Sequence, residues 1–256
     1  MAGRETADIV FCIDASESMR PAIDGVRDHV VGLLRELQSD PQRTWDVRFD
    51  FLTQGVGFKN GVPVYLLKSV LSEGLSLTDS IYHPTSSINQ GHPGFFTRDI
   101  DMFRQRLDSV ECKGDEEMAL ALDIAADYPF RDAATCHRVV VLLTDEPIET
   151  GVQPEKASGL IEELAQKFQQ KRIMLFMVTP SSESYDALSQ VDRCEWKVVQ
   201  RSDAGLSTVD FSKLMVSIGK SVSVSQTGPS ATDGVRPLFG QDGWVPGEAD
   251  SFTERI

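Results

Sequence analysis

Two short segments carry the residues best suited to chemistry. Asp14-Ala15-Ser16-Glu17-Ser18 sets a carboxylate and two hydroxyls at alternate positions, and Thr144-Asp145-Glu146 adds further acidic oxygens. Carboxylate and hydroxyl oxygens suit a hard cation such as Mg²⁺, and neither segment offers the imidazole or thiol that would favour zinc. Taken alone, Asp14, Ser16 and Ser18 also suit a turn or a helix N-cap. What separates the two readings is whether other elements bring the segments together.

Both segments end apolar runs. Ala7–Ile13 is nearly continuous in hydrophobicity and stops at Asp14, and Val139–Leu143 stops at Thr144-Asp145, as expected of strands buried on both faces. A third such run is Ile173–Val178. Between them lie segments of helical spacing: Pro21–Leu37 (Ile23, Val26, Val30, Leu33, Leu34, Leu37), a helix from Ile100 to Val110 with Thr97 as its N-cap, Glu116–Tyr128, and Glu155–Lys171. Shorter elements follow: a helix at Ser184–Val191, a strand at Glu195–Val199 and a last helix at Phe211–Val222. Trp45–Gln54 alternates as a strand, and Lys59-Asn60-Gly61 turns it back into Val62–Val70, so these two strands should pair antiparallel.

This order predicts an α/β fold: a doubly wound, mostly parallel six-stranded sheet with one antiparallel edge strand and helices on both faces. Residues 1–226 form the domain. Residues 76–96, rich in Gly, Pro, His and Asn, read as a long inserted loop whose Tyr82, Phe95 and Phe96 could join a binding surface, and 227–256 as a flexible C-terminal tail. In such sheets ligands bind beyond the carboxyl ends of the strands, where Asp14 and Asp145 both fall.

The Asp14-x-Ser16-x-Ser18 sequence after a buried strand, with Asp145 ending another, resembles the metal-ion-dependent adhesion site of von Willebrand factor A-type (vWA) and integrin I-like domains. The likeness runs over residues 5–226. It implies that Ser16 and Ser18 bind the metal directly and that Asp14 and Asp145 act largely through water. The open coordination position would then take a carboxylate from a partner protein. The family pattern Gly-Thr-x-x-x-x-Ala-Leu is altered here: in Gly114-Asp115-Glu116-Glu117-Met118-Ala119-Leu120-Ala121-Leu122, Glu116 stands where Thr is usual, with Asp115 or Glu117 in neighbouring registers. A carboxylate in that place strengthens cation binding, weakens the cation's pull on a partner's carboxylate, and opens the site to Ca²⁺ or Mn²⁺. Glu116 equally suits the first turn of a helix.

Several function classes are disfavoured. With 39 acidic against 25 basic residues the net charge is −14, adverse to nucleic acid, and no basic stripe offsets it. No apolar stretch approaches the ~20 residues of a membrane span, and the N-terminus lacks a signal-peptide core. Cys12, Cys112, Cys136 and Cys194 lack metal-site or disulfide-scaffold spacing and fit a reducing, cytoplasmic setting. A haloacid-dehalogenase-type phosphatase would need an acid at Ser16. There is no Gly-x-Ser-x-Gly elbow, and Gly219-Lys220-Ser221 lies in a helix without the phosphate-loop glycine before it. His29, His83 and His92 show no ligand spacing. The expectation is a non-enzymatic intracellular scaffold that grips a partner protein through the metal. Two alternatives stay open: partner binding through loops or tail with a purely structural metal, and a metal-dependent hydrolase using Asp14 or Asp145.

Overall fold

A computed structural model describes residues 3–59, 62–69, 72–78, 96–113, 118–148, 154–201, 206–225 and 250–251. Strand β1 (Gly3–Asp14) lies at the centre of the sheet, and every residue from Ala7 to Ile13 is fully buried. That burial explains why the run is apolar on both alternating faces. Parallel neighbours flank it: β2 (Arg43–Lys59) on one side and β5 (His137–Leu143) on the other. Beyond β5 come β6 (Ile173–Thr179) and β7 (Cys194–Val198), both parallel.

The other wing differs from expectation. From Thr53 onward β2 also pairs antiparallel with β3 (Val62–Ser69), and β3 pairs antiparallel with β4 (Ser72–Thr78). Among the described residues the sheet therefore has eight strands rather than six, in the order β4-β3-β2-β1-β5-β6-β7-β8 with β8 at Asp250–Ser251; this wing holds two antiparallel pairings, with β3 running against the other strands and β4 rather than β3 at the edge. Strand β4 carries no strand pattern in sequence because Ser72-Glu-Gly-Leu-Ser-Leu-Thr78 is short and largely small or polar; its last residues overlap the predicted loop. Strand β8 is a two-residue ladder, Lys197↔Asp250 and Val198↔Ser251, inside the predicted tail, and so short a pairing leaves no periodicity to read. Tyr82, His83, His92 and Phe95 of the predicted loop lie outside the described residues.

Helices cover both faces. On one, α1 (Arg20–Leu37) and α6 (Phe211–Val224) pack together with α2 (Ile100–Asp108) over Ile9, Phe11 and Ile13. The buried residues of α1 are Ala22, Ile23, Val26, Val30, Leu33 and Leu37, the stripe set by helical spacing. Close approach to α6 requires glycine: a Cβ on Gly25 would sit 2.3 Å from the Phe211 ring. On the opposite face α3 (Met118–Ala126), α4 (Pro154–Gln170) and α5 (Glu183–Ser189) cover Val10, Cys12, Val140 and Leu142.

The N-cap of α2 is Asp99, not Thr97: Asp99 Oδ1 accepts from the amides of Asp101 and Met102, both at 3.0 Å. Thr97 is committed elsewhere. Its backbone bridges to Phe49 and its hydroxyl accepts from the Asp99 amide at 2.9 Å. Beside it Phe96 holds a positive φ of 66°, with its amide donating to Asp50 Oδ2 at 3.0 Å and Arg48 stacked 4.7 Å from its ring centre. These contacts fasten the chain to β2 where it enters α2.

A clamp of charges ties β1 to β2 and to the segment before β5. Asp8 is fully buried, takes two hydrogen bonds from Arg48 (2.8 and 2.6 Å), and accepts from the amide and guanidinium of Arg131. Burial alone would push its carboxyl up, but the hydrogen bonds from Arg48 and Arg131 outweigh it and hold the group below the usual range.

Candidate metal centre

The chain reverses its direction of winding at β1 and β5, with β2 to one side and β6 to the other. That seam is where an open α/β sheet leaves a crevice at its carboxyl edge. Asp14 is the last residue of β1; Thr144 and Asp145 follow β5, whose Leu143 pairs with Ile13.

Asp14 is fully buried and both its oxygens are engaged. Oδ1 accepts from the Ser16 amide at 2.7 Å, an Asx turn, and Oδ2 accepts from Thr144 Oγ1 at 3.1 Å across the seam. The turn role anticipated for Asp14 is therefore real and leaves lone pairs on both oxygens for further contacts. Neither serine caps a helix. Ser16 precedes a 3₁₀ turn (Glu17–Met19) and makes no side-chain cap; instead its Oγ lies 3.2 Å from Ser18 Oγ. Ser16 is buried, Ser18 half-buried, and Glu17 between them faces solvent.

Around this loop the backbone is fastened on two sides. The Ala15 amide donates to the Gln54 carbonyl at 2.9 Å, and the Lys113 amide donates to the Ala15 carbonyl at 2.6 Å. The Thr144 hydroxyl also accepts from the Glu146 amide at 3.2 Å, shaping the turn that presents Asp145. Glu146 itself is paired with Arg201 at 2.6 Å.

Two buried polar groups here have no hydrogen-bond partner among the described residues. One is Asp145 Oδ1, on a residue only 3% exposed; the other is the whole side-chain amide of Gln54, oxygen and nitrogen alike, fully buried. An unsatisfied buried oxygen costs about 1–3 kcal/mol, more when charged, a cost that a cation beside Asp145 would offset.

The donor set fits a hard cation. Among the described residues no three His, Cys, Asp or Glu side chains gather as a metal cluster, and the oxygens that Asp14, Ser16, Ser18 and Asp145 offer are carboxylates and hydroxyls. Adjacent ligands on octahedral Mg²⁺ lie about 3 Å apart and those on Ca²⁺ somewhat farther. The 3.2 Å between the Ser16 and Ser18 oxygens matches that spacing. Glu116, anticipated as a further ligand, lies outside the described residues, as do Asp115 and Glu117. Burial and the Asp14 charge push the Cys12 thiol far up, and burial raises Cys112, which favours the protonated thiol at both.

Sequence pattern alone singles out neither of two further residues at this edge. Thr144, beside Asp145 in sequence, contacts Asp14 directly. Gln54, which closes an alternating strand, stands beside Asp14 in the ladder. A polar residue closing an apolar strand is the one signal that marks either.

The sequence matches no protein-family model and no curated protein sequence. Solved structures do share the fold. A von Willebrand factor type A protein from Catenulispora acidiphila superposes with a TM-score of 0.52 at 13% identity, covering 87% of this chain and 44% of that one. Proximal thread matrix protein 1 of the mussel byssus gives 0.50 at 14% identity, covering 84% of this chain and 48% of that one. The chain thus spans less than half the length of either. At such identities the likeness establishes a vWA-like α/β fold.

Proposed function

We propose that this vWA-like chain is a non-enzymatic protein-binding domain that holds a divalent cation at its carboxyl edge and engages a partner protein through it. Ser16 and Ser18 supply direct oxygens, and Asp14 and Asp145 supply the negative charge. The carrying observation is the buried Asp145 Oδ1 without a hydrogen-bond partner at the edge where Asp14, Ser16 and Ser18 gather. Bound there, Mg²⁺, or Ca²⁺ or Mn²⁺ in its place, would supply a Lewis-acidic position open to a carboxylate. Glu116 is proposed as an additional acidic ligand. It would tighten the cation while reducing the charge left to attract a partner.

The protein's own residues do the positioning. Thr144 orients Asp14, the Asx turn fixes Ser16, and the Ala15 backbone is pinned between Gln54 and Lys113. A rigid loop of this kind suits recognition, because little order has to be imposed on binding. Four free cysteines, three of them buried, support a reducing compartment such as the cytoplasm.

The test is capture of a partner in Mg²⁺ followed by binding measurements with the purified pair. The proposal expects affinity to collapse in chelator, to return with Mg²⁺, and to be lost in Asp14→Ala. Affinity unchanged by chelator would shift the contact to another surface and overturn the metal grip.

A further inference from the structure

At the carboxyl edge four polar residues stand side by side on adjacent strands. Gln54 pairs with Asp14 in the β1–β2 ladder, and Thr144 and Thr179 follow the paired residues Leu143 and Val178. All four are fully buried. Three are satisfied: Thr179 accepts from the Trp196 indole at 2.9 Å, and Thr144 donates to Asp14 at 3.1 Å. Gln54 is the exception, since neither amide atom has a partner among the described residues.

A structural glutamine has no reason to be left so. Leucine would fill the same volume without two stranded polar atoms, each costing about 1–3 kcal/mol. Strand register puts the Gln54 and Asp14 side chains on the same face of the sheet, on neighbouring strands about 4.8 Å apart. The Gln54 carbonyl meanwhile holds the Ala15 amide, so the residue is fixed to the serine loop by its backbone.

We propose that Gln54 is a positioning residue of the metal site, its amide oxygen accepting a hydrogen bond from a water held on the cation next to Asp14. This rests on the metal-site reading above and extends it by one residue from a different strand. Outer residues that orient a metal's ligands typically contribute 10–100-fold to metal affinity.

The test uses Mn²⁺ alone as probe, with its affinity and its count of fast-exchanging waters read from water-proton relaxation, and thermal melts of the metal-free proteins beside it. Gln54→Leu is expected to melt no lower than wild type without metal, because it removes an unsatisfied amide. Its Mn²⁺ affinity should fall at least 10-fold, and Gln54→Glu, which keeps an acceptor, should bind at least as tightly as wild type. A merely structural Gln54 gives the opposite pattern: a lower metal-free melt and Mn²⁺ affinity within twofold of wild type, which overturns the proposal. If Gln54→Leu does not fold, Gln54→Met carries the same comparison with the same overturning result. Wild type and Asp145→Asn separate the two levels. If wild type binds Mn²⁺ and Asp145→Asn does not, while Gln54→Leu binds normally, the metal site stands and the role of Gln54 falls. If wild type binds no Mn²⁺, both fall.

Discussion

Thr144 donates its hydroxyl to Asp14 across the seam between β1 and β5, Oγ1 lying 3.1 Å from Oδ2. The contact joins the two segments whose oxygens are proposed to share a cation, and it fixes the Asp14 carboxylate. Thr144→Val keeps the shape and removes the donor. Calorimetric titration with Mg²⁺ should show affinity lowered 10–100-fold with an unchanged fold. Equal affinity would mean that Asp14 needs no help from β5.

The charge clamp at Asp8 is a separate matter of stability. Removing the Asp8 carboxylate takes a counter-charge from the half-buried Arg48, while Arg131 keeps its pairing with Asp46 at 2.9 Å, so Asp8→Asn should cost about 1–3 kcal/mol in denaturant unfolding. The folded carboxyl is held below its ordinary range, so this stabilisation is present above the unfolded value near 4 and is lost as pH falls through the lower folded value. Metal affinity measured on folded Asp8→Asn should match wild type.

Glu195 predicts the opposite pH dependence. Burial raises its carboxyl from 4.5 to about 8. The folded state therefore keeps a proton that the unfolded chain releases, and stability falls as pH rises between about 4.5 and about 8. Glu195→Gln should match wild type near pH 4 and become progressively more stable than it toward pH 8, read from urea unfolding at a series of pH values.

Gly25 tests the packing of α1 on α6. A methyl there meets Phe211 Cδ2 at 2.3 Å and Cγ at 2.4 Å, ring atoms close to the α6 backbone rather than a flexible tip. Gly25→Ala should therefore lose about 1–3 kcal/mol despite alanine's better helix propensity, measured by thermal or chemical unfolding.

The parts of the fold that reveal themselves in sequence are those whose burial is uniform. Strands β1, β5 and β6 are apolar because they are covered on both faces, and their ends announce Asp14 and Thr144-Asp145. What stays hidden depends on distant pairing. Asp8 meets Arg131 at a separation of 123 residues and Thr144 meets Asp14 at 130, and no local pattern encodes either. Strands β4 and β8 are too short and polar to show periodicity. Asp14, Ser16, Ser18 and Asp145 fall at the sheet edge where their spacing and strand ends put them, whereas Gln54 needs the β1–β2 register before it stands out.

The central claim is that Asp145 and the Asp14–Ser18 loop hold one divalent ion. Titration calorimetry of wild type and Asp145→Ala with Mn²⁺ tests it most directly. The account predicts one saturable site in wild type and its loss in Asp145→Ala, with the metal-free variant melting no lower than wild type because an unpartnered buried oxygen has been removed. Absence of binding in wild type, or binding undiminished by Asp145→Ala, would contradict it.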